Sequence, residues 1–104
     1  GRYHPIVRQT LFGMRVVFRK EAEADLRSII DYFEGVAPEA VGNILSDIYR
    51  SINLLSRFPR SGALVPERHF RRIVTIKYHF KLVYEVSEEQ IVLLGIFRYQ
   101  DREV

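Results

Sequence analysis

The apolar positions along the chain change period several times, and each change marks an element. Arg15 to Arg19 reads Arg-Val-Val-Phe-Arg, a β-branched and aromatic run that predicts a short strand. Ala22, Leu26, Ile29, Ile30 and Phe33 then fall at i, i+4, i+7, i+8 and i+11, one stripe of an α-helix over about 20–34. Glu21, Glu23 and Asp25 crowd its first turns, where the helix dipole favours negative charge. Gly35 is placed to close that helix in the left-handed conformation. Pro38 suits a first helical position, and Val41, Ile44, Leu45, Ile48, Ile52 and Leu55 form a second stripe that Phe58-Pro59 stops. A connection this short makes the two helices an antiparallel hairpin.

After a loop from Arg60 to Glu67, marked by Ser61-Gly62 and Pro66, the chain turns to strand composition. Three runs are rich in Ile, Val, Phe and Tyr: Phe70–Tyr78, Phe80–Val86 and Gln90–Tyr99. In the second, Phe80, Leu82, Tyr84 and Val86 alternate with Lys81, Val83 and Glu85, which gives one apolar face. Ser87-Glu88-Glu89 is the turn that follows. The predicted fold is α+β, in the order β-α-α-β-β-β, with an antiparallel helix hairpin packed on one face of a small, mainly antiparallel sheet. Two helices with one stripe each and such short connections cannot cover both faces. One sheet face should therefore be left for solvent or a partner, with a surplus of exposed aliphatic side chains. Residues 1–13 match no clear periodicity and read as a vector-derived remnant or a flexible arm; residues 14–104 read as a single domain, with Met14 the natural start.

Composition narrows the class. A chain of 104 residues that is 47% hydrophobic is one domain, too apolar for disorder. No apolar run approaches the roughly 18 residues of a membrane-spanning helix, and no secretory signal is visible, so a cytoplasmic protein without a membrane partner is expected. The absence of cysteine removes a disulfide scaffold, a thiol nucleophile and a thiolate zinc site. The net charge of +3 is unevenly spread. Residues 57–81 hold seven Lys or Arg against Glu67 alone, whereas residues 20–56 hold three against seven acids. Such a basic middle suits a polyanion or an acidic protein, or is neutralised by the chain's own acidic helices.

Candidate chemistry is sparse. There is no Gly-rich phosphate loop, no serine elbow and no metal-ligand spacing, so neither a cofactor nor a metal is expected. His4, His69 and His79 share no helical spacing and read as surface or turn residues. Glu23/Arg27 and Asp47/Arg50 read as solvated helix-face pairs. What remains is the basic run Arg68–Lys81 and the pair Arg98-Tyr99. Arginines clamp phosphates bidentately, and a tyrosine can stack on a base or relay a proton. The plainer reading makes Arg71, Arg72 and Lys77 outward strand charges that discourage edge pairing.

From Met14 to Asp101 the chain resembles the RelE/ParE toxin superfamily of type II toxin–antitoxin systems, in its ParE-like, plasmid-stabilisation branch. The resemblance rests on Val17-Phe18 followed by Glu21-Ala22-Glu23-Ala24-Asp25-Leu26, then Ile29 and Asp31-Tyr32. It continues through Ala40, the Ile48/Ile52/Leu55 stripe, Phe58-Pro59-x-x-Gly62 and Pro66-Glu67. Arg71-Arg72, Val83-Tyr84 and the last strand leading to Asp101 complete it. Three positions depart from the family pattern. Arg19-Lys20 stands where a Ser-Pro helix start is common, Glu85 follows Tyr84 where Arg is usual, and Arg98-Tyr99-Gln100-Asp101 carries no histidine.

The resemblance implies a toxin that inhibits DNA gyrase, forms a hetero-oligomer with a cognate antitoxin and is neutralised by it. On this reading it is an inhibitor rather than a catalyst. Its target-binding candidates are Arg60, Arg68, Arg71, Arg72, Lys77, Arg98 and Arg102. The alternative is a RelE-like, ribosome-dependent mRNA endonuclease, in which Arg72 and Arg98 would stabilise the phosphate and Tyr99 would stack or donate a proton. A second alternative is a degenerate, non-toxic subunit that only binds antitoxin. In each case the antitoxin's carboxy-terminal segment is expected to wrap the helix hairpin and sheet, with strand addition to the sheet as one route.

Overall fold

The computed structural model describes residues 3–8, by their backbone, and residues 13–98. In chain order the elements are β1 (Tyr3–Arg8), β2 (Arg15–Arg19), α1 (Lys20–Val36), a 3-10 turn (Pro38–Ala40), α2 (Val41–Arg57), β3 (Ala63–Leu64), β4 (Arg71–Val74), β5 (Lys81–Val86) and β6 (Gln90–Phe97). The strands form one six-stranded sheet in the order β1-β2-β6-β5-β4-β3. All neighbours are antiparallel except β2 and β6, whose parallel pairing is bridged by the long connection through the helix hairpin and β3 to β5. The fold is the expected α+β arrangement, extended at both edges by strands that periodicity did not show. Residues 3–8, which match no clear period, form β1, and the loop after α2 contains the two-residue β3.

A single apolar cluster explains why both helices share one face. The α2 stripe, Ile44, Ile48, Ile52 and Leu55, is buried against Ala22, Leu26 and Ile29 of α1. Beneath it lie Val16 and Phe18 of β2, Leu82 and Tyr84 of β5, and Ile91, Leu93 and Ile96 of β6. Val16/Phe18, Leu82/Tyr84 and Ile91/Leu93 alternate, as side chains on one side of a pleat must, and Ile96 regains that face one residue late, past the register shift opposite Val83 and Tyr84. Each such fully buried aliphatic side chain stabilises the fold by roughly 1.5–3 kcal/mol. Asp25 of α1 adds a polar tie, its Oδ2 accepting the Ile96 N–H at 3.0 Å. Burial raises the Asp25 pKa, the Glu21 charge adds to this, and the Ile96 hydrogen bond pulls against both.

The helix ends differ from expectation at one point. Arg19 caps α1 without a side-chain hydrogen bond, as the missing Ser-Pro start implies. Gly35, however, stays helical, and α1 runs to Val36, where the Ala37 N–H closes onto the Phe33 carbonyl at 2.7 Å. Among the described residues Gly13 alone of the glycines has a positive φ.

The second sheet face carries no helix among the described residues, yet its centre is not the open aliphatic surface expected. Val17, Val83 and Val92 are 5%, 3% and 5% exposed. They occupy the middle of cross-strand rows, Arg72–Val83–Gly95 and Val7–Val17–Val92–Glu85. Among the strand residues whose side chains are described, the exposed large aliphatics are instead Leu64 on β3 and Val74 on β4, with Ile76 in the turn beyond. The apolar surplus lies at one edge, not across a face.

Candidate interaction surface

That edge borders a groove of about 420 Å³ between the second half of α2 and strands β3 and β4. Arg50, Ser51 and Leu54 line it from the helix, Ser61 to Ala63 from the loop, and Arg72, Ile73, Val74 and Ile76 from the sheet side. Leu54, Val74 and Ile76 are exposed, Ile76 to 75%. Exposed apolar side chains gathered in one patch, rather than scattered singly, point to an interaction site. Two loops flank the groove, and a buried polar side chain fixes each.

The first loop runs from Phe58 to Gly62. The hydroxyl of Tyr84, a fully buried residue, donates to the Pro59 carbonyl at 2.8 Å and accepts the Gly62 N–H at 2.9 Å. Arg71 Nη1 donates to the Gly62 carbonyl at 2.9 Å. A Cβ on Gly62 would stand 2.5 Å from the Tyr84 hydroxyl oxygen and 2.7 Å from the Arg72 carbonyl oxygen. The Pro-x-x-Gly spacing is thus the shape of a loop threaded past a phenol with no room for a side chain. Burial raises the Tyr84 pKa, partly offset by the Gly62 hydrogen bond, the Arg71 charge and the Ser61 side chain, so the group stays a neutral donor.

The second loop is the turn 75–79, where a continuous strand Phe70–Tyr78 was expected. The strand stops at Val74 because Thr75 begins a closed turn. Its N–H donates to the Phe80 carbonyl at 2.8 Å, and its Oγ1 accepts the Phe80 N–H at 2.9 Å. His79 takes a positive φ of 62° to complete it. From α2, Asp47 reaches into this turn and accepts the Lys77 N–H at 3.0 Å and the Tyr78 N–H at 2.7 Å. Asp47 is therefore not a solvated helix-face charge paired with Arg50 but is 1% exposed. Its burial raises the pKa, but hydrogen bonds from Thr75, Tyr78 and Lys77 and the Arg50 charge outweigh that, and the net shift is downward. The carboxylate is held ionised.

The predicted site residues divide between these features. Arg71 is committed to the first loop through its bond to the Gly62 carbonyl. Arg72 lines the groove, and its cross-strand partners are Ala63 and Val83. Lys77 sits on the second turn, while Arg60 and Arg68 lie exposed in loops, so the basic run 68–81 is not one strand. Arg98 follows β6, two strands away from β4, and lies 4.7 Å above the ring of Tyr32 on α1. Arg72 and Arg98 therefore leave the sheet from backbones two inter-strand spacings apart, roughly 10 Å. Tyr99 and Arg102 lie outside the described residues. Ion pairs join Arg19 to Glu21 at 3.4 Å and Arg27 to Glu23 at 3.4 Å, and His69 Nε2 lies 3.0 Å from a carboxylate oxygen of Glu85. Arg50, Arg57, Arg60 and Lys77 are all exposed around the groove end of the molecule. Among the described residues, no three His, Asp or Glu side chains form a metal-holding group.

Sequence reasoning missed Asp47, Leu54 and Ile76. A signal for Asp47 was present: it lies three residues after Ile44 and one before Ile48, inside the apolar stripe, where an acid has to find partners. The groove, the two anchored loops and the helix hairpin all fall within residues 16–102, which match the family model described as the ParE toxin of the type II toxin-antitoxin system, parDE. The chain belongs to the ParE toxin family. The resemblance drawn from the sequence is borne out, and the chain is a ParE-type toxin of a toxin–antitoxin system. No curated protein matches it. Among solved structures, a chain from the "Chromosomal ParDE TA system from P. aeruginosa" shares the fold at a TM-score of 0.70 and 22% identity, covering 80% of this chain and 92% of that one. The family match begins at Val16, so β1 precedes it.

Proposed function

We propose that this ParE-family toxin arrests growth in the cytoplasm by binding DNA gyrase, and that a cognate antitoxin neutralises it by covering the same surface. The observation that carries the reading is the groove with its two anchored loops. It presents exposed Leu54, Val74 and Ile76 beside the exposed cations Arg50 and Lys77, on backbone that Asp47 and Tyr84 hold rigid. A pre-organised apolar patch rimmed by positive charge favours binding to another macromolecule, since little order has to be imposed on association. No described helix is long and apolar enough to cross a membrane.

Purified protein, titrated into gyrase supercoiling and cleavage-complex assays, is expected to inhibit supercoiling, and equimolar antitoxin is expected to relieve the inhibition. Gyrase left untouched by excess protein overturns the target. Cuts within codons on translated mRNA, lost in Arg98→Ala, would put the endonuclease in its place. No growth defect on expression without the antitoxin would leave only an antitoxin-binding subunit.

A further inference from the structure

β2 pairs with β6 on one side, from Arg15 opposite Gln90 to Phe18 opposite Leu93. Its three central residues, Val16, Val17 and Phe18, are all buried, and its only charges are the terminal Arg15 and Arg19. A short apolar strand with its other side open is a template for a strand from another molecule. On that side the chain lays its own residues 3–8, antiparallel, with Tyr3 opposite Arg19, Val7 opposite Val17 and Arg8 opposite Val16.

The entry to β2 is built for this return. Gly13 has φ +138°, and a Cβ there would stand 2.5 Å from Ser56 Oγ. The Met14 N–H donates to the Ser56 carbonyl at 2.8 Å, and the Ser56 hydroxyl donates to the Met14 carbonyl at 2.7 Å. The chain is thus pinned to the end of α2 just before β2 begins. β1 also ends the sheet: Pro5 falls in its register irregularity, between Tyr3 and Val7. Proline offers no N–H to a further strand and is confined to edges and bulges. The opposite edge is blunted in another way, by the two-residue β3.

We infer that residues 3–8 are a built-in edge strand, which occupies the β2 edge in cis and keeps it from taking the same strand in trans from a second copy of this chain. A segment tethered beside its site acts at an effective concentration of order millimolar, so a free strand at micromolar concentration loses the competition. The strand lies outside the family match, and the inference does not depend on the toxin's target.

The test is complementation in trans. In Ile6→Pro/Val7→Pro, adjacent residues point their N–H groups to opposite sides, so one of the two prolines removes a bond toward β2 whichever way the ladder alternates. A labelled peptide of residues 1–12 is expected to bind this variant at least about tenfold more tightly than the intact chain. Equal binding to both proteins, or to neither, overturns the inference. A second measurement decides even if the double-proline variant loses its cooperative melt. The intact chain is free of cysteine, so Val7→Cys/Val17→Cys places two thiols at directly opposed positions. Oxidation is expected to give an intramolecular disulfide in a monomer. Intermolecular dimers, or free thiols after oxidation, overturn the inference.

Discussion

The two loops beside the groove are held by the same device with opposite chemistry. Loop 58–62 presents one carbonyl and one N–H to the core, and a phenol answers both, donating to Pro59 and accepting from Gly62. Turn 75–79 presents two N–H groups, and a carboxylate, which only accepts, gathers both. The polarity that the backbone shows to the interior therefore selects the side chain, and with it the charge state. Tyr84 is shifted up and remains neutral, whereas Asp47 is shifted down and remains charged. Each loop in turn sets what reaches solvent: Phe58 and Arg60 on one, Ile76 and Lys77 on the other.

Removing the carboxylate should break the comparison most severely. Asp47→Ala leaves two N–H groups without their acceptor and is expected to cost about 3 kcal/mol in denaturant unfolding. Native-state hydrogen exchange should show the Lys77 and Tyr78 amides losing protection first, and Asp47→Asn should restore part of the stability. Gly62→Ala comes next. Its new methyl group must displace the Tyr84 hydroxyl and the Arg72 backbone, and overpacking of this kind costs about 1–3 kcal/mol. Tyr84→Phe keeps the packing and removes only the hydroxyl, for a loss of about 1–2 kcal/mol by the same measurement.

The pH dependence sharpens the contrast through its sign. Asp47 has a lowered folded-state pKa, so its contribution is present above the ordinary aspartate value of 3.8 and is lost as pH falls through the folded value. Tyr84 has a raised one, so its contribution is present below pH 10 and is lost as pH rises through the folded value. The stability gap between the intact protein and Asp47→Asn should therefore narrow on acidification. The gap to Tyr84→Phe should narrow at strongly alkaline pH. Asp25, raised by burial, opposes Asp47 at the acid end, its contribution being lost as pH rises through its folded value. The smallest effect on stability is expected at the loop surface. Ile76→Asp with Lys77→Glu should change unfolding free energy by no more than about 0.5 kcal/mol. The same pair should abolish gyrase inhibition, read by supercoiling.

Much of the fold was legible because periodicity reports burial directly. The α2 stripe from Ile44 to Leu55 and the alternation of Leu82 and Tyr84 name the face each element buries. The Arg15–Arg19 strand, the hairpin and the Pro-x-x-Gly loop are all where those patterns put them. The edges were not legible, since edge strands bury little and leave weak periodicity; β1 and the two-residue β3 carry almost none. The turn at 75–79 was hidden in Ile-Val-Thr-Ile, a composition that favours strand until an acid 28 residues earlier on α2 supplies the acceptor that closes the turn.

By itself the sequence determined the layers, because an apolar stripe of fixed period has to face a core, and it carried the ParE family pattern across most of its length. The tertiary structure decided which polar groups are structural and which are offered outward. Asp47 and Tyr84 look like Asp31 and Tyr32 in a string of letters. Only the meeting of distant backbone donors and acceptors with those side chains ties the first two into the interior, since a buried polar atom has to be paired where the chain happens to pass.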